Sequence, residues 1–265
     1  MNTARHVPGL IGDPSPRASR LLRLVRWTIG FIGRHVLGFR LELIGDEHIP
    51  RDAHGRPLGG WIAAGLPHVT WIEPFVMLVL LAPEPRLIWF GDGRVIERSW
   101  WRRVVFRRIG GVVPIWPGGG PRAFGSHLEA VQRVVDAGAV FALFPEKGPP
   151  VPPGQARPLE PGLGYFALRT GAPVVPIVFG GTHELFLGRR IRMVVLPPTT
   201  AREMAGLAGD DPLPEADSAA ERETARRIVE VLHARTAEAV ASTHLATEPP
   251  PGTRKRCRWL THVLR

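Results

Sequence analysis

His68 and Glu73 stand five positions apart in the stretch Pro67-His68-Val69-Thr70-Trp71-Ile72-Glu73-Pro74, directly after the apolar run Gly60-Trp61-Ile62-Ala63-Ala64-Gly65-Leu66. An imidazole held by a carboxylate is the equipment of a general base that takes a proton from a weak nucleophile. The run before His68 has the make-up of a buried strand. Pro74 disfavours the α conformation at Glu73 and suits the first position of a helix, so a helix is expected from Pro74 through Leu81. Glu73 then sits at the positive end of that helix, where the dipole favours the ionised form. His68 falls on the strand-to-helix turn, within its reach. The same two residues also fit a simple helix cap, and spacing alone does not choose.

The elements that must hold this pair are short apolar runs alternating with helical ones. Strands are expected at Arg40–Ile44, Trp61–Leu66, Arg86–Phe90, Gly111–Ile115, Ala139–Phe144, Pro173–Phe179 and Ile191–Leu196. Helices are expected at Phe75–Leu81, Ser99–Arg108, Arg122–Ala137 and Leu163–Thr170, with Gly138 and Gly171 as stops. The alternation predicts an α/β fold with a mostly parallel central sheet flanked by helices. Residues 1–18 read as a disordered leader and 19–38 as an amphipathic membrane-surface helix. Residues 39–200 form the α/β core, 201–248 a linker and C-terminal helix, and 249–265 a basic tail. In such sheets sites form beyond the carboxyl ends of strands. Phe144-Pro145-Glu146-Lys147-Gly148 ends one strand as His68 follows another, so Glu146 is a second candidate carboxylate. It equally fits a loop cap.

A chain of 265 residues, 44% hydrophobic, suffices for one sizeable core. A single cysteine, Cys257, excludes a disulfide framework and a cysteine-rich metal site. With 34 Lys+Arg against 24 Asp+Glu the net charge is +10 and the pI about 11.3. Such a surface prefers polyanions: nucleic acid, anionic lipid headgroups or a phosphate-bearing cofactor. The leader lacks the apolar core of a secretory signal, and no apolar stretch reaches the roughly 18 residues of a spanning helix. Between Arg20 and Phe39, Arg20, Arg23, Arg26 and Arg34 line a helix with a wide apolar surface. It suits the plane of a membrane, or packing on the core with solvated arginines.

In the segment from Arg98 to Arg108 aromatics interleave with arginines, a pattern that suits bases and phosphates, a membrane interface or a packed helix alike. Other motifs fail on context. Gly162-Leu163-Gly164-Tyr165-Phe166-Ala167 follows a proline-rich loop rather than the strand a dinucleotide site needs. Gly118-Gly119-Gly120 lacks the Lys-Ser/Thr of a phosphate loop. His183-Glu184 has no second His four residues after the first, and no Gly-x-Ser-x-Gly elbow exists.

Four blocks in order resemble the phospholipid/glycerol acyltransferase family, typified by 1-acylglycerol-3-phosphate acyltransferases. His68, Thr70, Glu73 and Pro74 match its first block, with Glu for the usual Asp. Gly110-Gly111-Val112-Val113-Pro114-Ile115 matches the second, but Trp116-Pro117 replaces Asp-Arg. Phe144-Pro145-Glu146 matches the third, but Lys147-Gly148-Pro149 replaces Gly-Thr-Arg. Pro173-Val174-Val175-Pro176-Ile177-Val178 fits the fourth. The resemblance covers roughly residues 20 to 200 and implies a glycerolphosphate-acyltransferase-like fold. It implies acyl transfer from a thioester, acyl-CoA or acyl carrier protein, to a hydroxyl of a lysophospholipid or other lipid-like acceptor. His68 would be the base and Glu73 its orienting partner. Substrate contacts fall to Thr70, Glu146, Lys147, Gly148 and Arg122, with Thr70 also able simply to bond the turn. The two missing arginines are the family's phosphate binders; their absence implies a different acceptor or replacement by Arg122, Lys147 or Arg157. No metal and no cofactor beyond the thioester co-substrate are expected, and no nucleic acid. The implied location is peripheral, on an anionic membrane surface at its cytoplasmic face. A catalytically lapsed member that binds acyl thioester or lipid without transfer, and a nucleic-acid-binding protein, stand as alternatives.

Overall fold

The computed structural model describes residues 10–94, 100, 111–115 and 120–263, of which 120–124 by their backbone only. Seven strands form one sheet: β1 (Arg40–Ile44), β2 (Trp61–Leu66), β3 (Leu87–Asp92), β4 (Val112–Ile115), β5 (Val140–Leu143), β6 (Val174–Gly180) and β7 (Arg190–Val195). Their spatial order is β1-β7-β6-β2-β5-β3-β4. The β6–β7 pairing is antiparallel and every other pairing in the sheet is parallel. Strand β2 lies in the middle, between β5 and β6, with Ile62 opposite Phe141 on one side and Val174 on the other. Every residue of β2 and β6 is buried, as a parallel strand covered on both faces must be.

Alternation along β2 feeds two cores. Ile62, Ala64 and Leu66 pack with helices α3 (Gly120–Asp136), α4 (Pro161–Thr170) and α6 (Ala219–Thr247). Trp61 and Ala63 face the other layer, built by α2 (Ile72–Leu80), Phe39, Leu185 and Leu260. Helix α1 (Arg20–Phe31) starts on the Ser19 hydroxyl, which accepts from Leu22 N at 3.1 Å. It rests on α2 at Gly30, where a Cβ would lie 3.3 Å from Val79.

The expected strands are all present, shifted at most by two residues at their ends. Several other expectations change. Helix α2 begins at Ile72 rather than Pro74, and Glu73 is already helical. The first-turn N–H groups have no acceptor within the helix, so a proline in that turn removes no bond. The α-helix expected through Phe39 ends at Phe31 and continues as a π turn, Ile32–Val36. Gly38, at φ +65°, then turns the chain so that Phe39 enters the core. Residues 1–9 lie outside those described, but residues 10–18 are no free leader: Ile11 exchanges two backbone bonds with Val112, and Arg86 N donates to Pro16 O. Within the expected linker 201–215, α5 (Ala201–Ala205) carries a Thr200–Glu203 capping box and buries Met204. The tail, too, is anchored: α7 (Leu260–Val263) buries Leu260, and the Thr261 hydroxyl accepts from Leu185 N at 2.8 Å. The helix expected over Ser99–Arg108 falls outside the described residues apart from Trp100.

No helix among the described residues is long and apolar enough to cross a membrane. Only Leu22 and Gly30 of α1 are buried, while Leu24 is 58% and Trp27 64% exposed. The protein therefore carries an uncovered apolar surface on its first helix.

Helices α4 and α6 touch backbone to backbone at Gly164, where a Cβ would lie 2.3 Å from Ala225 O. Alanine raises helix propensity by about 1 kcal/mol, but a carbonyl in the facing helix cannot swing aside, and overpacking costs about 1–3 kcal/mol. Gly164→Ala is expected to lower the urea midpoint; a raised midpoint would contradict this close approach.

Candidate active site

Strand β2 delivers the chain to Pro67-His68, and the first turn of α2 returns Glu73 beneath it. The Glu73 side chain has no exposed surface. An isolated buried carboxylate is very costly, so its partners matter. Oε1 accepts from Thr70 N at 3.2 Å, Thr70 Oγ1 at 3.1 Å and Val69 N at 3.4 Å. Oε2 accepts from Thr70 N at 3.0 Å and faces His68 Nδ1 at 3.3 Å. Among the described residues, those just before the helix thus supply every donor, at the end where the dipole favours negative charge.

A carboxylate only accepts, so the ring nitrogen facing it carries a proton, and in the neutral imidazole the lone pair then lies on Nε2. That free nitrogen belongs to a side chain 39% exposed. The ring stacks on Phe144, centroids 4.2 Å apart and planes at 22°. Gly65 makes room for Phe144: a Cβ there would lie 2.4 Å from the Phe144 ring. The imidazole is therefore held in plane by an aromatic face and in rotation by a carboxylate, on a side chain that lines the cavity.

The backbone of His68 is fixed as firmly. Its N–H donates to Glu146 Oε2 at 2.7 Å, and the same oxygen accepts from Arg157 Nη2 at 2.6 Å. Arg157 also donates to the His68 carbonyl oxygen. Side-chain exposure is 2% for Glu146 and 15% for Arg157. Glu146, which ends the β5 side as His68 ends β2, is thus a clamp on the base's main chain. Its Oε1 has no hydrogen-bond partner among the described residues.

The other residues singled out from the sequence fall in different places. Thr70 is buried, and its hydroxyl donates to Glu73 while accepting from Ile72 N at 3.3 Å; it bonds the turn. Lys147 and Gly148 are exposed and do not line the cavity at His68. Arg122 lies in the first turn of α3 and its side chain is outside the described residues. Of Lys147 and Arg157, both candidates to replace the missing arginines, Arg157 is the one brought to the site.

That cavity, about 560 Å³, opens between His68, the proline-rich loop from Pro150 to Gln155, the end of β6 and the last turns of α6. The volume is in the range of small-molecule pockets. Phe179, Val151 and Val240 give it apolar walls; Arg157, His183 and His244 give polar ones. Burial, with Arg189 and His244 adding to it, pushes the His183 imidazole down to about 4. Neither the loop nor His244 stood out in the sequence, and His183 appeared there only in a His-Glu pair lacking a second His four residues on. The signal available was weak: His244 and Glu248 share one face of a helix at i,i+4, and a proline cluster follows the Phe144-Pro145-Glu146 block.

No family model matches the chain, and no curated protein sequence matches it. Among solved structures it is similar to the crystal structure of the 1-acyl-sn-glycerophosphate (LPA) acyltransferase PlsC from Thermotoga maritima. That match has a TM-score of 0.49 and 19% identity, covering 82% of this chain and 80% of that one. The chemistry of the site rests on its own geometry.

In Glu73→Gln the amide NH₂ facing His68 turns Nδ1 into an acceptor and moves the ring proton to Nε2. Histidine ¹⁵N shifts at neutral pH are expected to report the Nδ1–H tautomer for His68 in the native protein and Nε2–H in the variant. The same tautomer in both would remove Glu73 from the role of orienter.

Proposed function

We propose that this chain is an O-acyltransferase that moves a fatty acyl group from acyl-CoA or an acyl carrier protein thioester to a hydroxyl of a lysophospholipid or other lipid-like acceptor. The observation that carries the reading is the 3.3 Å contact of His68 Nδ1 with the buried Glu73 carboxylate at the mouth of a cavity. The order of the four sequence blocks supports it. His68 Nε2 takes the acceptor's hydroxyl proton as the oxygen attacks the thioester carbonyl, giving a tetrahedral oxyanion. Collapse of that species forms the ester and breaks the C–S bond, and the imidazolium returns the proton to the leaving thiolate. Glu73 opposes the charge on the ring throughout. The apolar walls suit an acyl chain.

The arginine-bearing α1, with Leu24, Trp27 and Phe31 exposed, would lie on the anionic cytoplasmic face of a membrane and keep the cavity near lipid substrates. The lapsed, binding-only alternative predicts acyl-thioester or lipid binding without thiol release.

Thiol release from acyl-CoA with a panel of lysophospholipid acceptors tests the reading. A general base contributes about 10²–10⁴-fold, so His68→Ala is expected to cut the acceptor-dependent rate by that factor. Equal rates in the two proteins, or no release from either, would defeat it. For the membrane part, Leu24→Ser with Trp27→Ser is expected to release the protein from vesicles containing anionic lipid in a sedimentation assay. Undiminished attachment would argue against α1 as the contact.

A further inference from the structure

His183 follows the end of β6, and His244 and Glu248 lie one turn apart where α6 ends. Close backbone approach brings them together: a Cβ on Gly180 would lie 2.6 Å from Thr243 O, so β6 runs directly against α6. His244 is held from behind, because a Cβ on Gly154 would lie 2.7 Å from its Cδ2. Glu248 Oε1 is 3.5 Å from His183 Nε2 and 3.6 Å from His244 Nε2. The three ligand atoms all lie within 4.8 Å of one another.

Those separations are too long for good hydrogen bonds. They are close to the edge of a coordination tetrahedron, about 3.3 Å for metal–ligand bonds of 2.0–2.1 Å. Both imidazole nitrogens thus face the same carboxylate oxygen without a good hydrogen bond, and the two rings pack edge to face with centroids 4.9 Å apart. His183 and His244 line the cavity that holds His68.

We propose that His183, His244 and Glu248 bind a divalent transition-metal ion of the zinc class in the wall of the His68 cavity. Two imidazoles and one carboxylate leave a coordination position for an outside oxygen. Given the acyl-transfer reading, on which only this last step rests, that position would take an anionic oxygen of the acceptor. The missing pair of phosphate-binding arginines in the sequence blocks would then have a different kind of replacement.

The surroundings set the selectivity. Arg189, whose side chain is 1% exposed, has Nη2 3.9 Å from Glu248 Oε1 and donates from Nε to Gly181 O at 3.0 Å. Its charge cancels that of Glu248, so no net negative field draws a cation in. Glu184, the next acid, is engaged by Lys255 and Arg258. Binding must come from ligation by nitrogen, which favours Zn²⁺ and Co²⁺ over the oxygen-seeking Mg²⁺ and Ca²⁺.

The full chain, stripped with a chelator, is titrated with Zn²⁺ by calorimetry and with Co²⁺ by its visible ligand-field absorption. One equivalent is expected, insensitive to millimolar Mg²⁺ or Ca²⁺. Loss of an outer-sphere partner already weakens metal sites 10–100-fold, so His183→Ala and His244→Asn should each weaken binding at least that much, and Glu248→Gln likewise. Far-UV circular dichroism checks that each variant is folded. No binding, equal binding by a folded His183→Ala/His244→Asn double variant, or displacement by Mg²⁺ would overturn the site. None of these readouts involves turnover, so failure of thiol release and failure of metal binding are separate results.

Discussion

A carboxylate with no surface in water must be fully hydrogen-bonded, and Glu73 finds all its donors in residues 68–70. That requirement ties the imidazole, the turn and the first turn of α2 into one unit. The side chain of Thr70 serves the unit twice, as donor to the carboxylate and as acceptor for Ile72 N. Glu73 sits inside the first turn of the helix, and the N–H groups it accepts from are those of Val69 and Thr70 in the turn just before it. One acid therefore ties down the turn before the helix and faces the ring, so fixing the turn and orienting the imidazole are one set of contacts.

The surroundings of this unit follow from sheet order. Strands β5, β2 and β6 are neighbours and parallel, so the segments leaving their carboxyl ends emerge side by side. From β2 comes His68, from β5 the Glu146 that holds its N–H, and from β6 the loop with His183. Phe144 stands between two of these, stacked on His68 and packed toward Trp89 at 6.2 Å. Helix α6 reaches the same place from far along the chain and closes the cavity.

Charge is distributed unevenly over this frame. Near the cavity each buried arginine has an acid opposite it: Arg157 with Glu146, Arg189 with Glu248. Further positive charge lies on α1 and on the segment Arg254 to Arg258, of which Lys255 and Arg258 pair with Glu184. Both flank the face of the sheet covered by α2, Phe39 and Leu260.

The alternation of strands and helices, and with it the two-layered covering of a mostly parallel sheet, is legible in the order of apolar runs along the chain. The sequence also determined the His68–Glu73 pairing, because both residues belong to one local turn whose geometry is set by chain connectivity. Helix ends were less legible: Pro74 marks a first turn, but not which residue of that turn it occupies. Only the tertiary structure decided that Glu146 and Arg157 hold the main chain of His68, 78 and 89 residues away. The same packing left Lys147 in solvent and placed His183 beside His244, whereas the turn-bonding role of Thr70 is already the favoured reading from the sequence. Contacts across such separations depend on strand order and on backbone approaches such as Gly180 to Thr243, and neither is encoded in the spacing of residues along the chain.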